Sequence, residues 1–248
     1  MELGLRDKVV LITGAASGLG RCTVDYMLDE GARVLLADVN EQALATALEE
    51  TSAHETLGVV LDVRDFDACK AAAAEAASTW GQLDVLVTSA GVGGGIDFFK
   101  DETPEDWKAL IDINLLGTMN CCRAASEIMV EQQSGNIVAL ASEAGKGNEK
   151  RMAVYGSTKG AVISLVRGLA LELGRYNINV NAVCPGVTDT PMIAYLDEQA
   201  RARAAGFYPL GRLGRPQDIA AMITFLASEQ ASWVTGQAIS VSGGFGRS

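Results

Sequence analysis

Residues 8–20 read "KVVLITGAASGLG", an apolar run that leads directly into a glycine-rich turn. The run is short, apolar and rich in β-branched residues, which predicts a buried strand. Gly14, Gly18 and Gly20 then mark a tight turn into a helix predicted over 18–31. Such a turn lets backbone N–H groups approach a pyrophosphate, and the helix N-terminus supplies about half a positive charge. The stretch therefore predicts a phosphate-binding turn, although glycine is also common in turns that bind nothing.

Strand-like and helix-like segments alternate along the rest of the chain. The strand segments are continuous apolar runs, which is typical of a parallel sheet covered by helices on both faces. We predict an α/β fold, a Rossmann-type doubly wound parallel sheet in a single domain over 1–248, with residues 188–214 forming a flap over the cleft. Further strands are predicted at 33–38, 57–62, 83–88, 135–142, 178–186 and 238–244, and helices at 41–50, 66–80, 104–133, 152–175 and 216–228.

The composition narrows the class of protein. The chain has 248 residues, of which 48% are hydrophobic, and this suits one large domain with a packed core. Its net charge of −11 argues against nucleic acid or an anionic membrane surface as partner. We see neither a signal peptide nor an apolar run long enough to span a bilayer. We expect a cytoplasmic protein.

The cysteines and the single histidine offer little chemistry for a metal site or a hydrolase triad. There are five cysteines and no C-x-x-C pair, which indicates free thiols in a reducing compartment. His54, the only histidine, lies in the polar connector "TSAHETLG". Neither a Ser-His-Asp triad nor a zinc site has ligands at usable spacing, so we expect no metal.

Asp38 ends the second predicted strand, 18 residues after Gly20. A carboxylate in this position can accept hydrogen bonds from an adenosine ribose, and it would repel a 2′-phosphate. Two unit charges about 4 Å apart interact by about 4 kcal/mol at an effective dielectric constant of about 20, and half of that disfavours NADP more than tenfold. The glycine turn has no Lys or Arg to compensate a phosphate. The pattern favours NAD, although an aspartate also forms strand-end turns.

A second candidate site lies in "VYGSTKG", residues 154–160. On a helix, Tyr155 and Lys159 lie one turn apart on the same face, where an ammonium would favour the phenolate and lower the tyrosine pKa. A tyrosine of this kind can exchange a proton with an alcohol or a ketone. Ser142 ends the fifth predicted strand, at the sheet edge where open α/β sheets bind ligands. The tetrad Y-x-x-x-K alone is also compatible with an ordinary amphipathic helix.

Together these residues resemble the classical short-chain dehydrogenase/reductase family, over essentially the whole chain. The resemblance is carried by "TGAASGLG" at 13–20, Asp38, "DV" at 62–63, "SAG" at 89–91, Asn114 in "DINLLG", Ser142, "YGSTK" at 155–159 and "CPGVTDTPM" at 184–192. It implies a nicotinamide-dependent oxidoreductase acting on a small alcohol or ketone. It also implies a homo-oligomer, most often a tetramer, with 104–133 and 152–175 between subunits.

The resemblance also implies roles for individual residues. Tyr155 would be the general acid/base, Lys159 would lower its pKa and hold the nicotinamide ribose, and Ser142 would bind the substrate oxygen. Asn114 would hold a water that connects Lys159 to solvent. The implied NAD-binding residues, which include the adenine contacts 62–63 and the carboxamide contacts 187, 188 and 190, are Gly14, Ser17, Gly18, Leu19, Gly20, Asp38, Asp62, Val63, Ser89, Ala90, Gly91, Tyr155, Lys159, Pro185, Gly186, Val187, Thr188 and Thr190.

Two stretches depart from the family pattern. Thr88 and Ser89 stand where the family has two asparagines, which predicts a weaker tie after the fourth strand, and the glycines at 93–95 predict a mobile edge of the pocket. The segment 143–155 places Lys146, Lys150 and Arg151 between Ser142 and Tyr155. These cations are either a solvated surface or, with Ser142 and Tyr155, contacts to an anionic substrate group.

The function expected from the sequence is the NAD-dependent interconversion of a secondary alcohol and its ketone. The C-terminal stretches resemble members that oxidise cyclic hydroxy acids or their CoA thioesters. A 3-oxoacyl-thioester reductase is an alternative, although Asp38 fits poorly with the NADP use expected there. An extended-branch epimerase or dehydratase and a non-catalytic cofactor-sensing protein are further alternatives. The glycine spacing disfavours the former, and the presence of Ser142, Tyr155 and Lys159 disfavours the latter.

Overall fold

The computed structural model describes residues 2–94, 97–147 and 149–246. Within these ranges the strands are β1 (Val9–Thr13), β2 (Arg33–Asp38), β3 (Thr56–Val60), β4 (Val85–Thr88), β5 (Gly135–Leu140), β6 (Ile178–Pro185) and β7 (Ala238–Val241). They form one sheet in the order β3-β2-β1-β4-β5-β6-β7, and all neighbouring pairs are parallel. The order reverses between β1 and β4, which creates a crevice at the carboxyl ends of these two strands.

Helices cover both faces of the sheet. They are α1 (Gly18–Asp29), α2 (Glu41–Glu50), α3 (Phe66–Trp80), α4 (Pro104–Leu110), α5 (Thr118–Gln132), α6 (Ala144–Gly147), α7 (Ala153–Leu173), α8 (Glu198–Ala205) and α9 (Pro216–Ala227). Helices α1, α2 and α9 bury Val24, Leu44 and Ile219 against one face, while α3, α5 and α7 bury residues such as Ala73 and Val162 against the other. The predicted doubly wound parallel sheet is confirmed.

Helix starts and ends follow side-chain signals in the sequence. Asn40 caps α2 by accepting from the Ala43 N–H at 3.1 Å, and Asp65 caps α3 by accepting from the Ala68 N–H at 3.0 Å. Gly81 ends α3 with a φ of +85°, a conformation that favours glycine. The predicted bounds of β2, α2 and α3 are therefore confirmed residue for residue.

The helix predicted over 104–133 is not continuous. It is divided into α4, a π-helical segment at Ile111–Gly117, and α5. Inside that segment the buried Asn114 side chain accepts from the Val92 N–H at 2.8 Å and donates to the Val92 carbonyl at 2.9 Å. A buried amide needs such partners, and they lie on a separate segment of the chain, so helical periodicity alone could not predict the interruption.

The first residues of the segment 188–214 border the crevice, and the segment contains regular structure. It contains a 3-10 turn at Pro191–Ile193 and the helix α8. A β-carbon placed on Gly18 would lie 3.7 Å from the Thr190 side chain, and one placed on Gly93 would lie 3.4 Å from Met192. We missed α8 because its apolar positions are alanines, which give no clear hydrophobic stripe. Among the described residues, none of the helices combines the length and apolar character that crossing a membrane requires.

Candidate active site

A cleft of about 590 Å³ opens at the carboxyl-terminal edge of the sheet, beside β1 and β4. Its wall is built from the segments that follow β1 to β6, because all strands are parallel and their ends meet at one edge. The structure thereby brings most of the predicted site residues together. Those that line the cleft are Gly14, Ser17, Gly18, Leu19, Asp38, Asp62, Val63, Ser89, Ala90, Gly91, Ser142, Tyr155, Lys159, Pro185, Gly186, Val187, Thr188 and Thr190.

The glycine turn leaves no room for larger side chains. Gly14 has a φ of +64°, and a β-carbon on it would lie 2.8 Å from the Cα atom of Ala90. Gly20 does not line the cleft; a β-carbon there would lie 2.0 Å from the Gly14 carbonyl oxygen. Gly14 thus lets the turn approach β4, whereas Gly20 lets α1 pack beneath the turn. Gly18, with a φ of +54°, completes a backbone cradle of the shape that a diphosphate requires.

Asp38 is oriented by two backbone groups. Its carboxylate accepts a hydrogen bond from the Ala16 N–H at 3.0 Å and another from the Asn40 N–H at 2.9 Å. The first bond ties β2 to the glycine turn. A carboxylate has about four acceptor positions, so it can still accept hydroxyl donors from the cleft side. The neighbouring Val39 is exposed and carries no charge that could compensate a phosphate.

Asp62 is paired with a residue that the sequence analysis missed. The Arg64 Nε atom donates to both carboxylate oxygens of Asp62, at 2.9 and 3.0 Å, and Arg64 also lines the cleft. Hydrogen bonding to the Arg64 guanidinium holds the pKa of Asp62 below its ordinary value. We expected Asp62 to face an adenine. In the structure its carboxylate is engaged by Arg64. An arginine two residues after the aspartate is the sequence signal that could have predicted this ion pair.

Ser142, Tyr155 and Lys159 meet on the cleft wall. Lys159 is buried, its Nζ atom donates to the Leu140 carbonyl at 2.8 Å, and this atom lies 5.9 Å from the centre of the Tyr155 ring. Burial lowers the pKa of Lys159 to about 8. Burial also raises the pKa of Tyr155, a hydrogen bond with Ser142 opposes that rise, and the carboxylate of Glu149 adds to it. Burial is the largest of these effects, so the direction of the Tyr155 pKa shift is upward, opposite to the lowering that we expected.

Asn114 lies behind the wall and not on it. Its Oδ1 atom accepts from the Val92 N–H and also lies near Gly91. A β-carbon placed on Gly91 would be 3.1 Å from this Oδ1 atom and 3.5 Å from Lys159 Nζ. The amide of Asn114 and the ammonium of Lys159 therefore approach each other where Gly91 has no side chain. This proximity is compatible with the expected water between them, which stays a prediction.

The three cations of segment 143–155 do not line the cleft. Lys146 Nζ donates to the Ser240 Oγ atom on β7 at 2.8 Å. The charged groups of Lys150 and Arg151 lie over the Phe98 ring, 5.4 and 4.6 Å from its centre. The structure thus gives no support to a contact between Lys146 or Arg151 and an anionic substrate. Of the glycines at 93–95, Gly93 and Gly94 line the cleft, while residue 95 lies outside the described residues.

Sequence reasoning missed other residues of the wall. Glu149 and Met152 come from the segment before α7, and Met192, Ile193 and Tyr195 come from the segment 188–214. The sequence analysis considered only Lys150 and Arg151 in the stretch "NEKRM" (148–152), and it therefore missed Glu149. Among the described residues, no three His, Cys, Asp or Glu side chains converge as metal ligands.

The sheet order, the glycine turn and the cleft are those of a Rossmann-type fold. A family profile described as "Enoyl-(Acyl carrier protein) reductase" matches residues 14–246. The chain is 38% identical to the 3-oxoacyl-[acyl-carrier-protein] reductase FabG of Thermotoga maritima, covering 97% of this chain and 98% of the relative. It is also 38% identical to cis-4-hydroxycyclohexanecarboxylate dehydrogenase of Sinomonas cyclohexanicum, with 96% of each covered.

A solved structure gives the same result. The crystal structure of a 3-oxoacyl-[acyl-carrier protein] reductase from Brucella melitensis is 35% identical, with a TM-score of 0.91 over 99% of this chain and 95% of that one. The chain therefore belongs to the short-chain dehydrogenase/reductase family, and it is an oxidoreductase of that family.

Proposed function

We propose that the protein catalyses the NAD-dependent interconversion of a secondary alcohol and its ketone. The observation that carries this proposal is the presence of Ser142, Tyr155 and Lys159 in the same cleft as the glycine turn and Asp38. A proton-transfer group, a donor for the substrate oxygen and a dinucleotide cradle are the parts that this reaction requires. All of them come from segments at one edge of the sheet.

The cleft has the form that a nicotinamide dinucleotide needs. Such a cofactor, when bound, supplies the acceptor or donor of the hydride. The turn with positive φ angles at Gly14 and Gly18 would hold the diphosphate, and Asp38 would accept hydrogen bonds from the adenosine ribose. Lys159 would hold the nicotinamide ribose, and the segment at 185–190 would hold the nicotinamide end.

Preference for NAD over NADP rests on charge. A 2′-phosphate would lie beside the carboxylate of Asp38, which two backbone N–H groups keep in place. The guanidinium that could compensate a phosphate is that of Arg64, and it is held by Asp62. The neighbouring Val39 offers no charge.

In the chemical step, Tyr155 moves the proton. During ketone reduction its hydroxyl donates a proton to the substrate oxygen, and during alcohol oxidation its phenolate removes one. Ser142 hydrogen-bonds to the Tyr155 hydroxyl and to the substrate oxygen, so it orients both. In its protonated form, the Lys159 side chain stabilises the Tyr155 phenolate by its positive charge.

A second candidate, a 3-oxoacyl-thioester reductase, is favoured by the similarity to the reductase of Thermotoga maritima. The arrangement around Asp38 argues against it, since that activity is expected to use NADP. The proposal further includes a homotetramer in the cytoplasm, a flap formed by residues 188–214, and a cyclic, acidic or CoA-linked hydroxy compound as the substrate considered from the sequence.

The first experiment measures NADH formation by the purified protein, with NAD compared with NADP, on a panel of cyclic, acyclic, acidic and CoA-linked secondary alcohols. We expect turnover with NAD that is lost in Tyr155→Phe, because the phenylalanine keeps the ring and removes only the hydroxyl. Turnover that prefers NADP would contradict the role of Asp38. Turnover that survives in Tyr155→Phe would contradict the role of Tyr155.

A further inference from the structure

The substrate end of the cleft carries an unexpected carboxylate. Glu149 lines the wall together with Ser142 and Tyr155, and it is partly buried. Within the described residues, its carboxylate has no hydrogen-bond or ion-pair partner. The backbone is fixed by the Met152 N–H, which donates to the Glu149 carbonyl at 3.1 Å immediately before α7 begins. Glu149 therefore lies in the turn that precedes α7, six residues before Tyr155 in the chain.

The surroundings of Glu149 do not neutralise its charge. The described wall holds two cations: Arg64, which is paired with Asp62, and Lys159, whose Nζ atom donates to the Leu140 carbonyl. A second acid, Glu143, is buried directly after Ser142, and its Oε1 atom has no hydrogen-bond partner among the described residues. This end of the cleft thus carries a negative field.

Electrostatic effects on neighbouring groups agree with this placement. The Glu149 carboxylate raises the pKa of Tyr155, where burial is the larger cause, and it also raises the pKa of Tyr208. Burial and, after it, Glu143 raise the pKa of Glu149 itself. The remaining wall near these acids is mainly apolar, formed by Met152, Met192, Ile193 and Tyr195.

We propose that Glu149 selects the substrate, and this inference rests on the proposed function. Its carboxylate accepts a hydrogen bond from a second hydroxyl on a compact, neutral substrate, next to the carbon that reacts. It also repels a carboxylate or phosphate brought to the same place. The substrate class is a vicinal diol and its hydroxyketone, and not a hydroxy acid whose carboxylate enters the pocket.

The chemistry of the wall supports this class over a charged substrate. A partly buried carboxylate stabilises a donor strongly, since hydrogen bonds to charged groups exceed neutral ones. An anion near the same carboxylate would be repelled more strongly than it would be at the protein surface, because the apolar wall screens the two charges less than water does. Lys146, Lys150 and Arg151, the cations that could attract an anion, are directed to Ser240 or to the Phe98 ring.

The test measures binding to the enzyme–NADH complex of proteins that all carry Tyr155→Phe, because this substitution prevents NADH from reducing the ketones during the titration. Three ligands share one ring: cyclohexanone, 2-hydroxycyclohexanone and 3-oxocyclohexanecarboxylate. Their dissociation constants are read from the NADH fluorescence of three proteins: Tyr155→Phe with Glu149 retained, Tyr155→Phe with Glu149→Gln, and Tyr155→Phe with Glu105→Gln. Glu105 is exposed on α4 and does not line the cleft, so its variant is a matched control.

In Glu149→Gln we expect binding of the hydroxyketone to weaken about fivefold and binding of the keto acid to strengthen about tenfold. The plain ketone should change less than about twofold, since it places no donor or charge near Glu149. Glu105→Gln should leave all three unchanged. Arg151→Ala should leave keto-acid binding unchanged as well.

Three results would overturn the inference. One is that Glu149→Gln changes the dissociation constants of all three ligands equally. The others are that the protein with Glu149 binds the keto acid as tightly as the hydroxyketone, or that it binds NADH but not the hydroxyketone. A failure of the proposed function is a different result. It would appear as an absence of Tyr155-dependent turnover on any alcohol while the ligand preferences persist.

Discussion

Lys159 is a buried lysine on the cleft wall, a position that is costly to the fold. Its ammonium is buried, and the one described hydrogen-bond acceptor for Nζ is the Leu140 carbonyl. Such burial favours the neutral amine and holds its pKa at about 8, against an ordinary value of 10.5. The cost is consistent with a group that is kept for its position next to Tyr155 and not for stability.

The stability of the protein should therefore depend on pH through Lys159. Below pH 8 both the folded and the unfolded chain carry the proton, and the full cost of burial applies. Between about 8 and 10.5 the folded chain loses the proton while the unfolded chain keeps it, so the free energy of unfolding rises with pH. The gain is on the order of 3 kcal/mol when complete.

Urea unfolding of the cofactor-free wild type and of Lys159→Met at several pH values across this window measures the effect. We expect the stability difference, wild type minus variant, to increase with pH, because the methionine keeps the apolar stem and cannot titrate. Other titrating groups are common to both proteins and cancel in the difference. A difference that is flat or falls with pH would contradict this account of Lys159.

At the scale of elements, the junction of β1, the glycine turn and α1 is the tightest backbone contact near the cleft. A β-carbon on Gly20 would meet the Gly14 carbonyl at 2.0 Å, and the atoms it meets are backbone. Gly168 offers a contrast inside α7, since a β-carbon there has no neighbour within 4 Å. Both glycines are helical, so the pair separates a steric effect from helix propensity.

Gly20→Ala should lower the free energy of unfolding by about 1–3 kcal/mol and weaken NAD binding, because α1 must shift away from the turn. Gly168→Ala should instead stabilise the protein by about 0.5–1 kcal/mol through the better helix propensity of alanine. Denaturant unfolding and NAD titration of both variants check this. Equal effects of the two substitutions would disagree with the close approach at Gly20.

At the scale of the whole molecule, several large apolar side chains are exposed to solvent. Leu171 on α7 is 88% exposed and Trp233 is 98% exposed, while Leu116 in the π-helical segment and Met119 at the start of α5 are more than a third exposed. Large exposed apolar groups of this kind indicate a contact surface. They lie outside the cleft, so they can associate without closing it.

We expect the purified protein to sediment as a homotetramer, and Leu171→Asp combined with Trp233→Ser to shift it toward smaller species. The charge and the loss of the indole would remove apolar area from the contact while the monomer fold is retained, because both side chains are exposed. Circular dichroism of the variant serves as the control for folding. A wild type that sediments as a monomer would contradict the proposed assembly.

The sequence by itself determined the layered architecture, the sites of the turns and most of the residues that meet in the cleft. These features depend on local signals: apolar runs for strands, the caps at Asn40 and Asp65, and glycine where the backbone must turn. Parallel strands place their carboxyl ends at one edge, so residues distant in sequence could be assigned to one cleft, and Gly14, Asp38 and Tyr155 do line it.

Only the tertiary structure decided which polar side chains face that cleft and which face elsewhere. Glu149 lines it while Arg151, two residues later, lies over Phe98, and Asp62 is engaged by Arg64. The π-helical interruption depends on a bond from Asn114 to Val92, a residue 22 positions away. Such outcomes are set by partners that the folded sheet brings together, and periodicity along one segment contains no information about them.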